Sequence, residues 1–535
     1  MRVRTPFKVA TVAAVIALLA SACGGQEGEE PGDTTGQQGG ELRVYLSEPD
    51  SLLPTEASDS ESIQIIRLVY RGLTRSNLDG EIELDVAESI ETDDNITWTV
   101  TLKQGYTFTN GEPVNADAFL RAWNYAGYGP NAQDNSYFMS RIAGFAEMQA
   151  DPPEAEEFSG LTRVDDNTFT VELSAPFAGL PAILDYSGFF PLAEECLADA
   201  ETCSETPIGN GQYTLEGEWE HDVQIMLVRN ESYAGDDPGN PDRIINRIFE
   251  AQDAAYAAFQ GGELDIIDGT PPERRSEARS LYSDGFYEVP STTFTFLGFP
   301  HYDERFQDPR VRQAFSMAID RQAIIDAVLD GGATPATGVV SPLFDGAREG
   351  ICEFCQYNPE LARELLDEVG WDGSTVTMIA NAGAGHDAWM QAIGDQFNQN
   401  LGVEYELDVS QQFAEYLDTL TSDNAPGPYR LAWGPDYPVL ETYLYPLYGT
   451  GTDSNFGRYS NPEFDQLITM GDQAPSLEEA IPFYQQAEDI VVNEIPAIPL
   501  WFGITSNVYN TDTVEEFVYN NIHGIDYAAI VVAGS

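Results

Sequence analysis

Apolar positions along the chain recur with two periods. Leu42, Val44 and Leu46 alternate with Arg43 and Tyr45, and Trp98, Val100 and Leu102 alternate with Thr99 and Thr101, which predicts two strands. Ile63, Ile66 and Val69 or Tyr70 fall three or four apart and predict a helix over 62–70. A second helix is expected to open at Pro113-Val114-Asn115-Ala116-Asp117 and to run through Phe119, Leu120 and Trp123, with Asn115 as its N-cap. Val311, Ala314, Phe315, Ala318, Ile319 and Ile325 form one stripe, so the longest helix is expected over 310–329. Gly383-Ala384-Gly385-His386 lacks the third glycine of a dinucleotide loop and reads as the loop before a helix over 389–397. Gly72, Gly105, Gly111 and Gly211 read as turn glycines with positive φ, and Trp98, Trp123 and Trp371 as core. No repeat or low-complexity run follows Gly40, so the body is expected to be a mixed α/β protein.

The first residues follow a different pattern. Arg2, Arg4 and Lys8 precede an apolar run over 9–20, too short for a membrane span of about 20 residues, so 1–22 reads as a signal peptide. Leu19-Ala20-Ser21-Ala22-Cys23 resembles a bacterial lipobox, in which the cysteine is diacylated and becomes the first mature residue; an ordinary secretory cleavage nearby is the plainer alternative. Residues 24–40 are almost free of apolar side chains and are expected to form, with Cys23, a flexible tether over 23–40 reaching roughly 20–25 Å. Two acyl chains hold a protein on a membrane where one does not, so the expected location is extracytoplasmic, lipid-anchored to the bacterial cell membrane.

Charge narrows the partners. The formal net charge is −64, from 25 basic and 89 acidic residues, and only Lys8 and Lys103 are lysines. Such a surface lacks the clustered cations that phosphate binding needs, so nucleic acid is excluded. Self-repulsion at this charge must be screened, which points to a salty habitat or a biased genome. Of five cysteines, Cys23 goes to lipid, leaving Cys196 with Cys203 and Cys352 with Cys355 as local pairs. In an oxidising exterior these read as disulfides. Cys352-Glu-Phe-Cys355 alone also fits a redox or zinc motif, but zinc needs two further ligands and the four histidines are scattered. No metal or cofactor is expected. Nor is catalysis: there is no Gly-x-Ser-x-Gly, His-Glu-x-x-His or phosphate-cradling Gly-x-x-x-x-Gly-Lys.

Ordered blocks carry a more specific resemblance. Tyr70-Arg71-Gly72-Leu73-Thr74, Leu84-Asp85-Val86-Ala87-Glu88-Ser89, Lys103-Gln104-Gly105-Tyr106-Thr107-Phe108 and Asn110-Gly111-Glu112-Pro113-Val114 open the series. Pro207-Ile208-Gly209-Asn210-Gly211-Gln212-Tyr213, Arg310-Val311-Arg312-Gln313-Ala314, Asn358-Pro359-Glu360-Leu361-Ala362 and Tyr459-Ser460-Asn461-Pro462-Glu463-Phe464-Asp465 continue it. The chain thus resembles the family 5 bacterial extracellular solute-binding proteins, the oligopeptide, dipeptide and nickel-binding group, over nearly all of 42–510. One departure is Leu297-Gly298-Phe299-Pro300, where many relatives carry an Asn-Thr pair.

The resemblance implies a type II periplasmic-binding-protein fold of the cluster C kind, with two hinged lobes and an inserted subdomain. Lobe I is placed at 41–75, 172–290 and 502–535, the insert at 76–171 and lobe II at 291–501. It further implies a monomeric, non-catalytic receptor that closes on a short peptide and delivers it to an ABC permease and ATPase complex. In Arg430-Leu431-Ala432-Trp433-Gly434-Pro435-Asp436, the resemblance makes Ala432 and Gly434 backbone partners of an extended peptide and Asp436 the partner of its α-ammonium. Trp433 belongs to the same peptide-binding segment, while Arg430 and His386 are placed at the carboxyl end. The bland alternatives are a turn aspartate between Pro435 and Pro438, a solvated loop arginine and an idle loop histidine. Relatives carrying nickel chelates or sugars make those the alternative ligand classes.

Overall fold

Two thirteen-residue strands, Phe286–Gly298 and Ala497–Tyr509, run antiparallel through the middle of the molecule and organise everything around them. The computed structural model describes residues 39–533 except Asp79. The signal peptide, Cys23 and the tether up to residue 38 lie outside the described residues. Gly39 and Gly40 are already tied to the body: Gly39 N donates to Asn240 O at 2.9 Å and Gly40 N to Asp242 Oδ2 at 3.0 Å.

The long strands lie within an eleven-stranded mixed sheet. On one side, Phe294–Gly298 pair antiparallel with Tyr429–Trp433, followed by Val376–Ile379 and Tyr405–Asp408 in parallel. On the other, Val508 and Tyr509 pair with Ile267 and Ile266, followed by Glu41–Leu46, Arg243–Ile248, Gln224–Arg229 and Tyr213–Leu215. The two groups engage opposite halves of the long strands, whose register shifts between Pro290 and Phe294. Strands buried on both faces read as nearly continuous apolar runs, as Ala497-Ile498-Pro499-Leu500-Trp501-Phe502 does.

A separate four-stranded antiparallel sheet joins Ala87–Thr92, Thr97–Leu102, Thr168–Glu172 and Leu161–Arg163. Helix Ala116–Gly127 packs here through Trp123, which is fully buried, meets Phe169 and Phe189 edge-on and donates Nε1–H to Phe189 O at 2.9 Å. Asn115 accepts from Ala118 N, as its capping role requires, and Asp59 caps helix Ser60–Val69 through Ser62 N at 2.8 Å.

The helix expected over 310–329 is two helices, Pro309–Met317 and Arg321–Val328. Asp320 breaks it: its carboxylate caps the second helix at Ala323 N, and its own N–H donates to Gln396 Oε1 at 2.7 Å. The apolar stripe persists through the break because both helices face the same core. The longest helix among the described residues is instead Leu477–Glu494, with 18 residues. Gly105 and Gly111 have positive φ, but Gly72 and Gly211 do not. Those two are required by close approach, since a Cβ on Gly72 would overlap the Phe190 ring and one on Gly211 would crowd Leu68 O and Val69 O. Disulfides join Cys196 to Cys203 and Cys352 to Cys355.

Candidate ligand-binding cleft

Strand Tyr429–Trp433 is paired along one edge with Phe294–Gly298, whereas its other edge meets Val376–Ile379 only at Tyr429. Backbone groups alternate between the two edges with period two. Pro428 O accepts from Ile379 N at 3.0 Å, and Arg430 O accepts from the Tyr416 hydroxyl at 2.7 Å. The same parity directs the backbones of Ala432 and Gly434 to that edge, where no further strand pairs among the described residues. A Cβ built on Gly434 would meet nothing within 4 Å, so there is room in front of this backbone. Trp433 is fixed by its Nε1–H, which donates to Thr442 O at 2.8 Å.

Gly434, Pro435 and Asp436 then enter the wall of a cleft of about 700 Å³. Most of the remaining wall comes from residues 45–83 and 520–528, together with Tyr186, Gln212, Asp237, Gln252 and Asp268. This volume is within the range for small-molecule sites. Asp436 makes no hydrogen bond or ion pair within the described residues. Burial, followed by repulsion from Glu441, pushes its carboxyl up to about 7. The cleft's arginines, by contrast, are already engaged. Arg67 Nη1 meets Asp185 Oδ1 at 3.1 Å, and Arg71 and Arg75 reach Asp237 at 3.3 and 2.5 Å. Burial opposes ionisation of Asp185, yet His523 and Arg67 together hold it well below the usual carboxylate range.

The cleft adds two acids that sequence reasoning did not single out. Asp268 is pushed up to about 6 by burial and receives one long bond, 3.4 Å, from the Tyr527 hydroxyl. Glu61 is likewise raised, chiefly by burial. Neither lies in a block that distinguishes it from the chain's other acids.

Arg430 and His386 come together, but neither lines the cleft, and nor do Ala432 and Trp433. His386 precedes helix Asp387–Leu401 and is 9 % exposed, with its ring 5.6 Å from Trp389, which in turn meets Trp501. Burial and then the Arg430 charge push His386 down to about 4. Its Nε2 and the Arg430 Nε are both buried without a partner, and Arg430 has no ion pair among the described residues. One cation with an unsatisfied donor, Arg430, beside a neutral imidazole with an unpartnered ring nitrogen forms a place where an anion would be held. No group of three or more metal-ligating side chains occurs, and no helix is long and apolar enough to cross a membrane, among the described residues.

The sequence profile of the bacterial extracellular solute-binding proteins, family 5 (middle region), matches residues 81–455. The chain belongs to this family. It is 27% identical over 519 residues to the oligopeptide-binding protein OppA of Bacillus subtilis, covering 93% of this chain and 94% of that one. It is 26% identical over 478 residues to the periplasmic murein peptide-binding protein MppA of Escherichia coli, covering 86% and 87%. The solved structure of the E. coli murein tripeptide binding protein MppA superimposes with a TM-score of 0.78 at 23% identity, over 92% of this chain and 99% of that one. The oligopeptide-binding protein AppA of B. subtilis, solved with a nonapeptide, gives 0.73 at 20%, over 94% and 100%. The fold is therefore that of the periplasmic oligopeptide-binding proteins, a type II periplasmic-binding-protein architecture.

Proposed function

We propose that this family 5 protein is a lipid-anchored receptor that captures short peptides in the cleft and delivers them to an ABC permease. The observation that carries the reading is Asp436: a half-buried carboxylate in the wall of a peptide-sized cleft, with no cation of its own. An α-ammonium would supply the missing charge. The open edge at Ala432 and Gly434 would pair with the peptide backbone irrespective of side chains, so register would be fixed while sequence stays free. Arg430 and His386 would receive a carboxylate when the lobes, 41–75 with 172–290 and 502–535 against 291–501, close on the ligand. Relatives described as oligopeptide-, dipeptide- and murein peptide-binding support the ligand class. Cys23, through its lipid, would keep the receptor beside its permease.

The test is a double cycle of Asp436→Ala against N-acetylation of one peptide, measured by calorimetry. Truncating one member of a buried charge pair costs about 2–5 kcal/mol, roughly a thirtyfold to several-thousandfold loss of affinity. Acetylation removes the other member, so the two losses are expected not to add. Additive losses would show that Asp436 does not read the amino terminus.

A further inference from the structure

Arg141 is not part of the cleft wall and yet acts on the segment that carries Asp436. It follows the short turn Asp134–Met139, and its carbonyl accepts from Ser174 N at 2.8 Å and from Ser174 Oγ at 3.2 Å. Its guanidinium lies over the Phe177 ring at 4.1 Å. From there it reaches across some 300 residues of sequence, with Nη2 meeting Glu441 Oε1 at 2.8 Å and Nη1 meeting Asp472 Oδ2 at 2.9 Å.

Both carboxylates are further secured on their own side. Tyr437 donates its hydroxyl to Glu441 Oε2 at 2.7 Å, and Tyr484 donates to Asp472 Oδ1 at 2.8 Å. Glu441 is 1% exposed and Asp472 15%. Burial raises Glu441, and Arg141 is the cation that opposes this. A second bridge runs in parallel: Asn95 Nδ2 donates to Ala474 O at 3.0 Å and Pro475 O at 3.2 Å. Arg141 and Asn95 both come from 76–171, and every acceptor comes from 291–501. None of Arg141, Glu441 and Asp472 lines the cleft.

We infer that Arg141 is a positioning residue for ligand capture: it latches the 76–171 segment onto the 437–475 region and so holds the Asp436 turn in the binding arrangement. The inference rests on the cleft being the ligand site. A latch made of contacts the ligand never touches sets the fraction of molecules in the competent arrangement, and apparent affinity scales with that fraction for every ligand alike. Without the arginine, docking the 76–171 segment would bury the Glu441 carboxylate with no cation opposite it, which would also disfavour closure.

The experiment compares wild type with Arg141→Met and Arg141→Lys. Calorimetry is done on one peptide and its N-acetylated form, and solution scattering on the protein without and with peptide. Arg141→Met is expected to weaken both peptides by one common factor, on the order of tenfold. It should enlarge the ligand-free radius of gyration, and saturating peptide should reverse that change. Arg141→Lys, which keeps the charge and loses the fork, is expected to restore part of the affinity. Asp472→Asn, which removes the more exposed partner, gives the same effects in smaller measure and covers the case in which Arg141→Met does not fold. Unchanged affinities and scattering in the folded variants would overturn the latch. So would a loss confined to the free-amino peptide, because Arg141 would then act at the ammonium itself. The Asp436 reading stands or falls separately, on the ratio between the two peptides rather than on their common shift.

Discussion

Asp436 binds a cation only when ionised, and in the free cleft burial and Glu441 push its carboxyl up to about 7. An ammonium partner lowers that value, so proton release is linked to binding. The sign follows: affinity is lost as pH falls through 7 toward the lower value of the bound state, by up to about tenfold per unit, and falls again above about pH 8 as the free α-ammonium deprotonates. A carboxyl-amidated peptide titrated by calorimetry from roughly pH 8 to roughly pH 5 is expected to show this slope, and its N-acetylated form to lack it. Equal slopes for both would assign the dependence to another group, with Asp268, pushed up to about 6, the next to examine. That Ala432, Gly434 and Asp436 lie side by side could be read from the sequence because they share one contiguous segment, and of the three the cleft wall contains Gly434 and Asp436. Arg141 and Asp268 could not, because their partners lie far along the chain, and nor could Glu61, because among 89 acids and 25 bases no local pattern marks any of the three.

At the scale of elements, capping and periodicity carried most of what was readable. Asn115 and the alternations at 42–46 and 98–102 lead directly to the observed helix and strands. The 310–329 stripe misleads because an apolar face can run across two helices, and only the capping geometry of Asp320 shows the break. Glycines divide in the same way. Positive φ at Gly105 and Gly111 is a local property, whereas close approach at Gly72, Gly209 and Gly211 depends on packing between distant segments. Gly209 lies against the end of helix Ser60–Val69, where Gly211 N donates to Val69 O at 2.7 Å, and a Cβ at 209 would overlap that same oxygen. Backbone cannot move aside as a side chain can. Gly209→Ala is expected to cost about 1–3 kcal/mol, read as a lower midpoint in chemical denaturation with an unchanged slope.

For the whole molecule, the long strands Phe286–Gly298 and Ala497–Tyr509 are continuous through both strand groups, so a small change in their middle would move one group relative to the other, as the proposed closure requires. The net charge of −64 argues against a nucleic-acid partner but says nothing of what the cleft holds, because its arginines are paired internally and its free acids are few. The ligand class is the central claim, and competition in native mass spectrometry tests it most directly. Protein purified without denaturation is offered a pool of short peptides together with equal amounts of nickel chelates and oligosaccharides. The prediction is adducts with peptide masses that fragment into amino-acid residues on collisional activation. Adducts formed from the nickel chelates or the oligosaccharides, with the peptides left free, would contradict it.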